Sequence, residues 1–173
     1  MWHRKDVGPF MALPARTSDP APSARRRMPR SRQGTTTSFE VAGTEFYVIA
    51  NADEHGSLGE VFAKFGKEGS TTAGLMDLLS AAISLGLQHG VPLEEFVAKF
   101  RNQRFEPMGM TDDPDIPHAA SVGDYLARRL AHDWLDVGSR KELDLLTPDE
   151  EAALPADTYA PTPLRRTARA ARP

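Results

Sequence analysis

Cysteine is absent from all 173 residues. That absence removes disulfides, thiolate metal sites, iron–sulfur clusters, thiyl radicals and thiol nucleophiles together. Aromatic residues are sparse at 8%, and apolar residues reach 40%, below the roughly 45–50% of an average globular domain. No stretch approaches the ~20 apolar residues of a membrane-spanning helix. The apolar run Val7 to Leu13 is short and broken by Gly8 and Pro9, so no secretory signal is expected. No self-similar period marks a repeat protein. What remains open is acid–base chemistry, phosphate binding, carboxylate or histidine metal ligation, or binding without chemistry. The length fits one domain, in a soluble chain expected in the cytoplasm.

The net charge of −3 hides a segregation. Residues 1–34 hold eight basic side chains against two acidic ones, a net of +6, and residues 156–173 hold four against one, a net of +3. The stretch between them therefore carries −12. The N-terminal arm, residues 1–34, has Pro9, Pro14, Pro20, Pro22 and Pro29 and no apolar period, which reads as disordered. The C-terminal stretch, residues 147–173, reads as a short helix opened by Thr147-Pro148-Asp149-Glu150-Glu151 and then a basic, disordered tail.

Residues 35–146 carry the domain. Phe39, Val41, Phe46 and Val48 alternate with Tyr47 and Ile49 around an Ala42-Gly43-Thr44 turn, the pattern of a β-hairpin. Val61, Ala63 and Phe65 alternate with Phe62 and Lys64, which adds a third strand to a meander. Ser70 or Thr71 then caps a helix running to about His89. Its Leu75, Met76, Leu78, Leu79, Ile83, Leu85 and Leu87 make an apolar surface wide enough for a central helix packed on more than one side. Gly90 closes it, and Leu93, Phe96, Val97 and Phe100 mark a half-buried second helix. A long loop through Pro107, Pro114 and Pro117 leads to a third helix, capped by Ser121 with Asp124. The expected class is α+β: a small antiparallel meander of about three strands against about three helices, flanked by basic arms.

Several groups of residues invite a chemical reading. Lys64, Lys67, Gly69, Ser70 and Thr71 stand at the head of the central helix, where free N–H groups and the helix dipole favour a phosphate. The spacing is not that of a Walker A loop, Glu68 opposes an anion, and the plainer reading is a turn with an N-cap. Arg25, Arg26, Arg27, Arg30 and Arg32 place five positive charges within eight residues, suited to a polyanion such as nucleic acid. No aromatic is interleaved there to stack on bases, and the alternative is a tail resting on its own acidic domain. Arg104 of Arg104-Phe105-Glu106-Pro107 could grip a carboxylate of Glu106, Asp77 or a partner, but the plainer reading is a structural brace that fixes the chain as it leaves the second helix. Asp112, Asp113, Asp115 and His118 could hold a divalent metal, but their spacing fits no known loop and a solvated acidic loop is the plainer reading. No metal site and no catalytic residue is assigned.

The middle of the chain resembles the TSCPD domain, the C-terminal region of cobalamin-dependent (class II) ribonucleotide reductases. The match is carried by Gly59-Glu60-Val61-Phe62, Lys67-Glu68-Gly69-Ser70-Thr71 and Gly74-Leu75-Met76-Asp77. It continues through Ser84 to Leu93, Lys99-Phe100 and Arg104 to Pro107, with Ser121 to Leu130 resembling the closing helix and Arg26-Arg27-Met28-Pro29 the basic approach to the first strand. Reductases of this class act through a thiyl radical generated by adenosylcobalamin, and a thioredoxin-type partner re-reduces a cysteine pair. The resemblance thus implies a role in deoxyribonucleotide synthesis without catalysis by this chain, which has no cysteine. It implies an accessory or regulatory domain, with no cofactor of its own, adenosylcobalamin in the partner, and the reductase large subunit as that partner. The alternative is a stand-alone module, derived from the reductase, that binds nucleic acid or a nucleotide phosphate.

Overall fold

The computed structural model describes residues 24–65 and 69–153. Strands β1 (Gly34–Val41), β2 (Thr44–Ala52) and β3 (Leu58–Phe65) form an antiparallel sheet in the order β1-β2-β3. Ala42 and Gly43 both take positive φ, 50° and 76°. That is the two-residue turn whose twist suits a hairpin. The register Phe39↔Phe46 and Val48↔Ala63 places Phe39, Val41, Phe46, Val48, Ala50, Val61 and Ala63 on one buried face, as the alternation predicts.

Helices α1 (Thr71–Gln88), α2 (Leu93–Phe100) and α3 (Val122–Trp134) follow in the expected places. Ser70 caps α1 through Ala73 N–H, and Ser121 caps α3 through Asp124 N–H. Met76, Ile83 and Leu87 of α1, Leu93 and Val97 of α2, and Tyr125, Leu126 and Leu130 of α3 complete one core with the sheet. The long loop after α2 contains a pair of two-residue strands, β4 (Gly109–Met110) and β5 (His118–Ala119), which the sequence does not predict. A short helix α4 (Val137–Glu142) is also unpredicted. It precedes α5 (Pro148–Ala152), the short helix expected to start at Thr147-Pro148-Asp149-Glu150-Glu151, which Thr147 and Glu150 open with a capping box. The architecture is α+β, with a three-stranded antiparallel sheet.

One expectation needs correction. The apolar breadth of α1 predicted burial on more than one side. Instead Leu75, Leu78 and Leu85 are exposed, at 60%, 69% and 44%. The buried positions of α1 include polar ones, Ser80 and Gln88. These, with Ser84, face the outer edge of β3. Ser80 Oγ accepts from Ala63 N–H at 2.8 Å, and Ser84 Oγ accepts from Val61 N–H at 3.0 Å while donating to Val61 C=O at 3.1 Å. Gln88 Nε2 donates to Gly59 C=O at 3.0 Å. The match is geometric. Four residues of helix advance about 6 Å and two residues of strand about 6.6 Å, so positions 80, 84 and 88 meet 63, 61 and 59 in turn. A helix running antiparallel to β3 thereby satisfies backbone groups that an edge strand would leave open.

This edge contact is testable. Ser80→Ala leaves the buried Ala63 N–H without an acceptor, a loss of about 1–3 kcal/mol. Thermal denaturation should show a midpoint several degrees lower for Ser80→Ala, while Ala81→Ser on the exposed side leaves it in place. Equal midpoints for all three proteins would contradict the edge-sealing role.

Candidate functional site

At the head of α1, the structure brings Lys64, Gly69 and Ser70 to one cavity of about 530 Å³, lined also by Phe65, Ala73, Gly74 and Asp77. Thr71, the first residue of α1, is exposed, and Lys67 lies outside the described residues. Lys64 and the Ala73 N–H at the helix head are already engaged. Lys64 Nζ is on Asp77 Oδ1 at 2.5 Å, and Ser70 Oγ accepts the capping bond from Ala73 N–H. Asp77 also places a carboxylate in the cavity, which disfavours an incoming anion. As arranged, the cluster performs an N-cap and a surface ion pair.

The basic segment is held against the domain through Arg25 and Arg26. Arg26 N–H donates to Gln88 C=O at 2.8 Å, and Arg25 Nε donates to Gln88 Oε1 at 2.8 Å. Gln88 thus joins the edge of β3 to the segment read from sequence as the end of a disordered arm. A Cβ on Gly59 would sit 2.5 Å from Met28 Sδ, so a larger residue there would push the Met28 side chain aside. Arg25, Arg27 and Arg32 then line a cavity of about 350 Å³ with Met28, Glu60 and Gln88. Arg32 Nη2 pairs with Glu60 Oε2 at 2.5 Å, and Arg26 reaches Asp53 at 3.5 Å. Arg27 and Arg30 are exposed and make no hydrogen bond or ion pair with another described residue. The rest of the expected arm, residues 1–23, lies outside the described residues, as does the tail from residue 154.

The acidic loop is only partly the solvated loop that its composition suggests: Asp112 and His118 are exposed, but Asp113 and Asp115 are drawn into a part-buried ionic cluster around Arg129. Arg129 Nη1 reaches Asp113 Oδ2 at 3.2 Å and Asp115 Oδ2 at 3.3 Å. Its Nε donates to Asp133 at 3.1 Å, and its Nη2 meets Asp133 and His132. Tyr125 Oη donates to Asp113 Oδ2 at 2.6 Å while its ring stacks on Phe39 at 3.8 Å. Burial pushes the Asp113 carboxyl up, but the Tyr125 hydroxyl, the Asp115 N–H and Arg129 outweigh it and hold the group below the usual carboxylate range. Burial, then the bond to Asp113, push the Tyr125 phenol well above its ordinary value. Asp112 accepts from Glu40 N–H at 2.7 Å, and His118 stands exposed in β5. Among the described residues no three His, Asp or Glu side chains come together to hold a metal ion.

Arg104 does not act as the expected brace: it is exposed and pairs with neither Glu106 nor Asp77. That work falls to Asp124, which accepts from Asn102 N–H at 2.6 Å, Ala120 N–H at 2.9 Å and Arg128 Nε at 3.0 Å. Composition gave no sign of Arg129 or Asp124 as centres of polar networks. The one available signal was their place in a helix with apolar neighbours, where an unpaired charge is costly.

The Arg129 cluster sets an acid dependence. Arg129→Met leaves the part-buried Asp113 and Asp133 carboxylates without their guanidinium and should cost on the order of 1–3 kcal/mol. Because Asp113 titrates lower in the folded chain than in the unfolded one, its contribution is complete above the ordinary carboxylate value near ~4 and fades as pH falls through the folded value. Urea denaturation across that range should show wild type more stable than Asp113→Asn at neutral pH, with the gap narrowing below pH ~4. A gap that is constant or widens in acid would contradict the pairing.

With this geometry in place, comparison with known proteins gives the relationship. The TSCPD domain matches residues 17–133. Over 139 residues the chain is 51% identical to the vitamin B12-dependent ribonucleotide reductases of Streptomyces avermitilis and Streptomyces coelicolor, covering 80% of this chain and 14% of each relative. Over 113 residues it is 48% identical to that of Rhodopirellula baltica, covering 65% of this chain and 10% of the relative. No solved structure matches the chain. It spans about 14% of the length of the Streptomyces relatives, and the family match takes in strands β1 to β5, helices α1 and α2 and nearly all of α3. This chain belongs to the TSCPD domain family.

Proposed function

We propose that this chain is an accessory domain of vitamin B12-dependent ribonucleotide reduction, acting on or beside a reductase chain that carries the chemistry. The observation that carries this reading is the pairing of 51% identity over most of this chain with 14% coverage of the relatives. The likeness is to one part of a much larger protein. The chemistry agrees, because a thiyl radical and a re-reducible cysteine pair need sulfur that this sequence does not supply. In this reading adenosylcobalamin is held by the partner, the product is deoxyribonucleotide for DNA synthesis, and the place of action is the cytoplasm. No helix among the described residues is long and apolar enough to cross a membrane.

A second reading, binding of nucleic acid or a nucleotide phosphate, is supported by the Arg25, Arg27 and Arg32 cavity and by exposed Arg27 and Arg30. The head of α1 supports it less, since Lys64 and Ser70 already have partners.

One experiment separates the two. The tagged chain is captured from lysate of its own cell before and after nuclease treatment, and bound proteins are identified by mass spectrometry. The accessory reading expects a cobalamin-dependent reductase that survives nuclease. Nucleic acid alone, lost steeply as salt is raised, would overturn it in favour of the second.

A further inference from the structure

α1 is the helix least accounted for by the domain's own packing. Its polar row is fixed to β3 and its Met76, Ile83 and Leu87 lie in the core. The opposite side carries Leu75, Leu78 and Leu85, with Ala81 and Ala82 exposed between them. Positions 75, 78, 82 and 85 follow the 3-4-3 spacing of a seam that packs into another surface. Asp77 is the only charge on the helix, and it stands at the margin, paired with Lys64. Exposed Thr71 and Thr72 bound the face at one end. An apolar strip with a polar rim is the anatomy of an interface.

Area limits how tightly this face can bind. A helix of 18 residues is about 27 Å long and its face about 10 Å wide, so two copies meeting face to face would bury roughly 600 Å². Stable interfaces between separate chains bury at least about 1,200 Å². A second copy meeting this face through α1 alone would therefore associate weakly, as would any separate chain that offered nothing but a matching groove. A surface of this size suffices for a domain joined covalently to its counterpart, because tethering raises the effective concentration to about the millimolar range. The relatives provide that circumstance, since the matching region is 14% of a single longer chain.

We infer that the Leu75–Leu78–Leu85 face of α1 seats in an apolar groove on the remainder of the cobalamin-dependent reductase. This rests on the accessory reading above and adds the surface that performs it. The groove is lined by apolar side chains, with an acceptor or donor at its rim for the Lys64–Asp77 pair. Binding between separate chains is weak and insensitive to salt, because no unpaired charge lies on the face.

The test uses the full chain and the purified reductase of the same cell, with binding followed by calorimetry. Leu78→Lys and Leu85→Lys alter exposed positions, and each should weaken binding about tenfold or more. Leu78→Gln, milder for folding, should weaken it in the same direction, while Thr36→Lys on β1 leaves it unchanged. Unaltered binding by the leucine variants overturns this face while the accessory reading stands. No binding by wild type overturns that reading, and this inference with it. Self-association of the chain that Leu78→Lys abolishes would make a second copy the occupant and overturn the inference alone.

Discussion

The outer edge of β3 is closed by side chains rather than by a fourth strand, and much of the molecule depends on how that is done. Ser80, Ser84 and Gln88 lie on one row of α1 and meet Ala63, Val61 and Gly59 in register. A helix held only by apolar contacts could rotate or slide with modest cost, but one held through three successive backbone positions has a single orientation. That orientation sends Met76, Ile83 and Leu87 inward and Leu75, Leu78 and Leu85 outward. The same Gln88 receives Arg25 and Arg26, so the path of the basic segment is set by the same contact. Edge closure, the exposed leucine face and the Arg25–Arg32 cavity are thus consequences of one arrangement.

A second constraint acts at the other end of the domain. The loop between α2 and α3 carries several acids and prolines and would be expected to stand in water. Arg129 draws Asp113 and Asp115 onto α3, Tyr125 adds a hydrogen bond from a ring stacked on Phe39, and Asp124 gathers the backbone on either side. Buried ionic groups contribute little net stability over apolar ones, but breaking such a set is costly because the survivors are left unpaired. The cluster therefore fixes the loop's conformation more than it adds to the total stability.

What could be read from sequence was local. The hairpin, the Ser70 and Ser121 caps, the Gly90 stop and the Thr147 start all depend on residues within a few positions of one another, and all are found. Lys64, Gly69 and Ser70 do share a cavity, but the pairing of Lys64 with Asp77 spans 13 positions and depends on how α1 lies on β3. Arg129 finds Asp113 and Asp115 at separations of 16 and 14, which no periodicity reports. The misreading of α1 is the most instructive. Apolar spacing tells which positions avoid water in some state, not whether this chain supplies the cover. Here serine and glutamine are buried, because their partners are backbone groups, while leucines stand outside.

The proposed accessory role and the exposed leucine face of α1 together make contact with a reductase the claim to test. The most direct measurement places a photoreactive residue at position 78 and irradiates the full chain with the purified reductase, using position 36 on β1 as the comparison site. A cross-link from 78 into an apolar groove of the reductase, and none from 36, is the result this account predicts. Cross-linking from 36 and not 78, or from 78 only to another copy of the chain, would contradict it.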